Sequence, residues 1–277
     1  SHTLDAAGDR NIVSSYFDSN FPLSKDTSVQ LAFRYENYSD IGNVSKAKIA
    51  ISSKINEHIK LRASWANGFR APNLPQIAEK GLSRFNFLYD PITDSTYGIS
   101  EVRLGNEDLK PEDNINLSLG GAFNLSKRIQ VSIDWWQIKQ KNVIGITPAS
   151  TMLLYDGLLS SRGETSNNII RNEFGNVSSI INQYTNLNSR TISGIDYHAS
   201  FEYESSIGLI SAKLNIAQLL EYQQDADPIS AEILKEVERK NPNIPSNTII
   251  HSHSQVEQYD QELTRRLIGT LIILALV

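Results

Sequence analysis

The feature that most constrains this chain is an alternation of apolar and polar residues with a period of two. Val29, Leu31, Phe33 and Tyr35 alternate with Gln30, Ala32, Arg34 and Glu36. The same rule holds for Ala47-Ile49-Ile51, Ile59-Leu61-Ala63-Trp65 and Ile115-Leu117-Leu119-Gly121-Phe123. It returns in Ile129-Val131-Ile133-Trp135, Ile195-Tyr197-Ala199-Phe201-Tyr203 and Ile210-Ala212-Leu214-Ile216. Side chains of a strand point to opposite faces in turn, so each segment presents one apolar face. The chain is therefore all-β over its first 220 residues, with about eight strands.

The connections sort into two kinds. Links at 22–26, 56–58, 126–128 and 205–206 are short. Those at 39–45, 68–112 and 141–190 are longer, and the two kinds alternate along the chain. Short turns at one end and long loops at the other are the pattern of a transmembrane barrel. Trp65, Phe69, Tyr35, Tyr38, Trp135, Trp136 and Tyr203 fall near strand ends, where barrels carry aromatic girdles and where strands in general favour aromatics. No run of about 18 apolar residues is present, so no ordinary membrane helix is expected. Barrel strands need only about 9–11 residues each, which leaves a barrel open. After about Leu220 the rhythm stops. Asp227 as N-cap and Pro228 at the first position predict a short helix through Lys240. Residues 267–277 are apolar without alternation.

Composition removes several function classes. The net charge is −5, which disfavours nucleic-acid binding. With no cysteine, disulfides, thiolate catalysis and cysteine–zinc sites are excluded. No nucleophile elbow, P-loop or zinc-protease helix motif is present, so no catalytic residues and no cofactor are assigned. His251 and His253 lack a third ligand, and no metal site is assigned. Asp134 and Asp196 read as solvated carboxylates on strands.

Five segments go further. Arg34-Tyr35-Glu36-Asn37-Tyr38-Ser39-Asp40 ends a strand. Leu61-Arg62-Ala63-Ser64-Trp65-Ala66-Asn67-Gly68-Phe69-Arg70-Ala71-Pro72 leaves one. Asn106-Glu107-Asp108-Leu109-Lys110-Pro111-Glu112 re-enters one. Asp134-Trp135-Trp136-Gln137-Ile138 and Asn186 with Gly194-Ile195-Asp196 follow. In this order they resemble the barrel motifs of TonB-dependent outer-membrane receptors, over about residues 10–220. Glu107 stands where that family has proline. Pro72 and Pro111, which donate no hydrogen bond, are expected outside the ladders.

The resemblance implies an antiparallel up-and-down transmembrane β-barrel of about 22 strands with a plugged lumen, of which this chain holds a part. It divides the chain into a partial barrel, 1–220, and an atypical tail, 221–277, of the kind a truncation or frameshift leaves. The plug and the closing strands are expected outside this sequence. An open set of strands exposes two unpaired edges, so the piece alone is expected to be unstable. The implied function is TonB-dependent uptake of a scarce nutrient (ferric siderophore, cobalamin or glycan) in the outer membrane of Gram-negative bacteria, without enzyme activity. The implied partners are the TonB–ExbB–ExbD system, reached through the plug, the membrane lipid and the nutrient. Ligand contact is expected in regions 71–103 and 142–189, at Arg70, Phe85, Phe87, Tyr89, Arg103, Tyr155, Phe174 and Tyr184. Arg62, Arg70 and Arg103 can draw an anionic ligand or pair with carboxylates, Arg62 with one such as Glu36. The alternatives are a secreted β-rich binding module and, less favoured, a surface enzyme barrel.

Overall fold

The computed structural model describes residues 8–206 and 208–240. Eight strands form one antiparallel sheet: β1 (Ile12–Pro22), β2 (Thr27–Tyr38), β3 (Gly42–Lys54), β4 (Ile59–Arg70), β7 (Glu112–Asn124), β8 (Ile129–Gly145), β11 (Thr185–Ser205) and β12 (Gly208–Gln224). They are ordered as they occur in the chain, and β1 and β12 stand at the two edges. Between them lie α1 (Leu74–Ala78), β5 (Leu82–Asp90), β6 (Ser95–Leu104), α2 (Ala149–Ser161), β9 (Ile169–Arg171) and β10 (Val177–Gln183), with α3 (Pro228–Lys240) after β12.

Register carries the alternation across the sheet. Leu31, Ile49, Trp65 and Leu117 form one row, and Gln30, Ala50, Ser64 and Ser118 the next. One face is thus apolar and the other polar. The apolar face is exposed: Phe17, Phe33, Ile49, Leu119 and Ile133 all lie in the open. A water-soluble sandwich would bury such a face against a second sheet. Here the buried apolar cluster lies elsewhere, in Ile99, Met152, Leu153, Ile169, Val177 and Ile180, all within the long connections. The polar face carries a concavity of about 450 Å³ lined by Asn20, Gln30, Lys48, Lys60, Arg62 and Ser118, among others.

On that polar face Arg62 meets Asp134, with Nε 2.6 Å from Oδ1. The two residues sit on strands separated by β7, and Gly120 lies between them in register. A Cβ at Gly120 would come within 1.8 Å of Asp134 Oδ1, so the missing side chain lets the pair close over the strand. Arg62 therefore does not pair with Glu36, which is instead held by Arg34 and by the Tyr38 hydroxyl at 2.8 Å. Gly194 has a related role beside a register shift in β11. A Cβ there would lie 2.6 Å from the Trp136 ring and 2.7 Å from the Gln218 carbonyl oxygen. Gly194→Val is expected to destabilise the sheet by about 1–3 kcal/mol through overpacking. The check is the temperature at which the protein loses its folded form; an unchanged temperature would show that the sheet has room there.

The connections differ from the sequence reading in three places. The 39–45 link is only Ser39, Asp40 and Ile41, because β2 and β3 run up to it. It is as tight as the turns at the other end. The two long links, to which the sequence reading assigns no elements, hold α1, β5 and β6, and α2, β9 and β10. β8 and β11 also extend further than the alternation indicates. Pro72 and Pro111 stand outside the strands, as expected. α3 forms as the cap predicts, with Asp227 Oδ1 accepting from the amides of Ile229 and Ser230. His251, His253 and 267–277 lie outside the described residues.

Candidate functional site

Among the described residues, the helices and strands outside the eight-stranded sheet gather at one end. The exit from β4 is fixed first. Arg70 Nε donates to Glu112 Oε2 at 2.8 Å, and Glu112 also accepts from the Ile144 amide at 2.7 Å. One carboxylate so ties the outer ends of β4, β7 and β8. Asn73 then opens α1 with a reciprocal capping box to Gln76. Beside it, Tyr38 and Phe69 meet edge to face at 5.9 Å, with Arg10 over the first ring and Lys46 over the second.

Above this rim the two long connections merge into one module. β5 and β6 form a hairpin with nine consecutive register pairs. β10, from the other connection, pairs with β6 in parallel, and β9 closes the sheet in the order β5-β6-β10-β9. α2 covers one face through Met152 and Leu153, against Ile99, Val177 and Ile180.

An ionic cluster lies at the end of that covered face where β5 and β9 turn into β6 and β10. Arg171 donates to Asp90 at 2.7 and 2.9 Å and to Asp156 at 2.8 and 3.1 Å, and also to the Gly175 carbonyl. Asp90 is fully buried. It accepts further from the Tyr97 hydroxyl at 2.7 Å, and that hydroxyl accepts from the Val177 amide. Burial pushes the Asp90 carboxyl up, but the hydrogen bonds from Arg171, Tyr97 and the Ile92 amide outweigh it and hold the group well below the usual carboxylate range. The three residues come from β5, β9 and α2, so one guanidinium joins both connections. Nearby, buried Glu101 takes Arg103 at 3.1 Å and Asn182 Nδ2 at 2.9 Å.

The other face of the small sheet is open. Phe85, Phe87 and Tyr89 alternate along β5 and form an aromatic stripe; Phe87 is 75% exposed. Phe85 and Phe87 rings meet edge to face at 5.9 Å. Phe85 lies over Gly98, where a Cβ would come within 2.1 Å of the ring. The Tyr89 hydroxyl donates to Asp94 at 2.8 Å.

The remaining candidates are dispersed. Phe174 projects from the β9–β10 turn, at the edge away from β5, with 86% of its surface exposed. Tyr184 is half-buried, and its backbone bonds to Leu104 and to the Asn106 side chain. Tyr155 donates its hydroxyl to Glu232 of α3 at 2.8 Å, and Arg162 bonds Glu232 and Glu236. These contacts dock α3 on α2. Glu236, held chiefly by Arg239, titrates at about 2. Arg62, Arg70 and Arg103 are each committed to a carboxylate of the protein. The structure therefore assembles three of the eight candidates, the β5 aromatics, into one surface. Sequence reading missed Asp90, Asp156 and Arg171. Among the described residues no cluster of three metal-binding side chains occurs.

Residues 3–249 match the family model described as TonB dependent receptor-like, beta-barrel. The chain is 30% identical over 144 residues to a protein of Acinetobacter baumannii described as "Probable TonB-dependent siderophore receptor PirA", covering 50% of this chain and 19% of that one. Among solved structures it resembles the siderophore receptor PirA from Acinetobacter baumannii, with TM-score 0.57, 23% identity and coverage of 78% of this chain and 29% of that one. It also resembles the ferric enterobactin receptor PfeA from Pseudomonas aeruginosa, with TM-score 0.57, 18% identity and coverage of 76% and 27%. A third is the hemophore receptor HasR of Serratia marcescens, in complex with its hemophore HasA and heme, with TM-score 0.51, 12% identity and coverage of 76% and 34%. At such identities the structural likeness shows the fold alone. The chain spans 19% of the curated relative's length.

Proposed function

Because this chain belongs to the TonB-dependent receptor β-barrel family, whose members are outer-membrane β-barrels of Gram-negative bacteria, we propose that it supplies part of the wall and outer loops of a receptor that takes up a ferric siderophore. The observation that carries this reading is the family match together with the exposed apolar face. Strands of 11–21 residues with one apolar face out suit a hydrocarbon band of about 25 Å. The relative's own description as a siderophore receptor supports iron chelates over cobalamin or glycans.

In this reading the polar concave face lines the lumen, and the module of β5, β6, β9, β10 and α2 stands outside the cell. Phe85, Phe87 and Tyr89 offer stacking surface to a chelate with aromatic groups. Arg70, Arg103, Tyr155, Phe174 and Tyr184 surround or support the module. With Arg70 and Arg103 paired, attraction of an anionic chelate by free arginines receives no support. Transport energy comes from TonB–ExbB–ExbD acting through a plug, and the lipid contacts are made by the apolar face. No step of the reading requires bond chemistry by the protein.

The test is growth on single iron sources. A strain whose only siderophore receptor contains this chain is expected to grow on at least one ferric siderophore. Changing Phe85, Phe87 and Tyr89 together to alanine is expected to weaken chelate binding about tenfold or more, since each stacking contact contributes roughly 0.5–1.5 kcal/mol. Growth that is independent of every siderophore offered would sink the reading.

A further inference from the structure

The open edge of β5 has a role beyond small-molecule contact. The four-stranded sheet ends on β9 at one side and β5 at the other. β9 is three residues long, a blunt edge of the kind that resists pairing. β5 is nine residues long, unbroken in register with β6, and free of proline, lysine and bulges. Ser83, Arg84, Phe85, Asn86 and Phe87 are all exposed, on both faces of the strand. Among the described residues β5 pairs with β6 alone. Arg84 is its one exposed charge, and a long edge so lightly protected is a template for another strand.

The chemistry of an edge selects its occupant. Its N–H and C=O groups repeat at the spacing of an extended polypeptide, and strand addition satisfies them in series. Charge selects further. Segments 71–111 and 142–189 hold nine carboxylates against six cations, a net charge of −3, and the pairs Arg103–Glu101 and Arg171–Asp90 within them cancel on both sides. An acidic module repels a second copy of itself and attracts a basic chain. We propose that β5 is a docking edge on which an extended, cationic polypeptide adds as a fifth strand. The aromatic stripe then lies beside the added strand as cross-strand neighbours. The proposal rests on the outer-membrane reading only for the outward position of the module.

The test uses outer-membrane vesicles from cells carrying the protein, against vesicles from cells lacking it. The probe is a labelled nonapeptide of alternating valine and lysine. The excess binding to receptor vesicles is expected to fall about tenfold or more when every backbone nitrogen of the peptide is methylated, which keeps its side chains and removes its donors. A valine–glutamate peptide is expected to bind about tenfold more weakly at low salt. Asn86→Lys, which adds a second cation to that of Arg84 on the edge, is expected to weaken binding about fivefold or more, and Asn86→Asp to leave it equal or stronger. Equal binding of the methylated peptide overturns the proposal. So does indifference to Asn86→Lys, or efficient copy-to-copy cross-linking through Asn86→Cys, which would make a second copy the occupant. Growth of the unsubstituted strain on ferric siderophores reports on the uptake reading alone, so the two can fail separately.

Discussion

Arg171→Ala is expected to open the outer module while the eight-stranded sheet keeps its fold. Removing one partner from a buried ion pair costs about 3–5 kcal/mol, because the other charge stays behind in a poor solvent. Here two carboxylates are left, and Asp90 is fully buried. The same guanidinium also holds the Gly175 carbonyl, and so the β9–β10 turn. Limited proteolysis should then cut within 146–184, and hydrogen exchange in β9, β10 and α2 should rise by orders of magnitude. Arg162→Ala, whose carboxylate partners sit on α3 and not in the small sheet, should leave the module closed. An Arg171→Ala protein as resistant as its parent would mean that packing alone holds the two connections.

Acidity gives the same experiment a second reading. In the intact protein the folded Asp90 carboxyl lies below its unfolded value of about 3.9, so the unfolded chain takes protons first as pH falls. The contribution of Asp90 is complete above that unfolded value and is lost as pH falls through the folded one. Without Arg171, burial acts against the charged form with less opposition, and the carboxyl should move upward. Acidification should then tighten the variant's module and loosen the parent's, a reversal of sign that simple loss of packing would not produce.

Leu119→Arg is the second large expected effect. Leu119 lies on β7 in the middle of the sheet, 61% exposed on the apolar face. If lipid covers that face, an arginine near mid-depth costs about 2–4 kcal/mol. Ser118→Arg, one residue away and on the polar face, loses only the hydroxyl pair with Ser64, roughly 0.5–1.5 kcal/mol. Folded protein recovered from outer membranes should fall steeply for the first substitution and little for the second. Equal recovery would contradict the membrane orientation of the sheet. In a water-soluble setting, an arginine at so exposed a site would be nearly neutral.

How much of this was legible beforehand depends on the physical signal in each segment. The large sheet was legible because a strand with one apolar face imposes a period of two, and that period holds even where the apolar face is exposed instead of covered by a core. Asp227 and Pro228 announced α3 through local backbone chemistry. The outer module was not read, although Phe85, Phe87 and Tyr89 alternate just as β2 does. The sequence reading places them among the ligand contacts of a long loop and makes no strand of their alternation. β9 is too short to show a period, and β10 pairs in parallel with a segment about 80 positions earlier. The Asp90–Arg171–Asp156 cluster depends on that pairing, and no local pattern marks it. Arg62 could be placed in an ion pair, but Glu36, the partner suggested, is not the one: Asp134 is reached only across the gap at Gly120.

If the module faces outward, as proposed, the parallel pairing of β6 with β10 also bears on how it would be seen by an immune system. The exposed sheet is built from two stretches of chain, and neither contains the whole of it. Antibodies raised against a linear peptide from either stretch would meet a free chain rather than a paired strand. Those raised against the folded receptor would bind a discontinuous epitope, and reduced binding by them would report opening of the module even where the Phe85–Phe87 stripe is chemically intact.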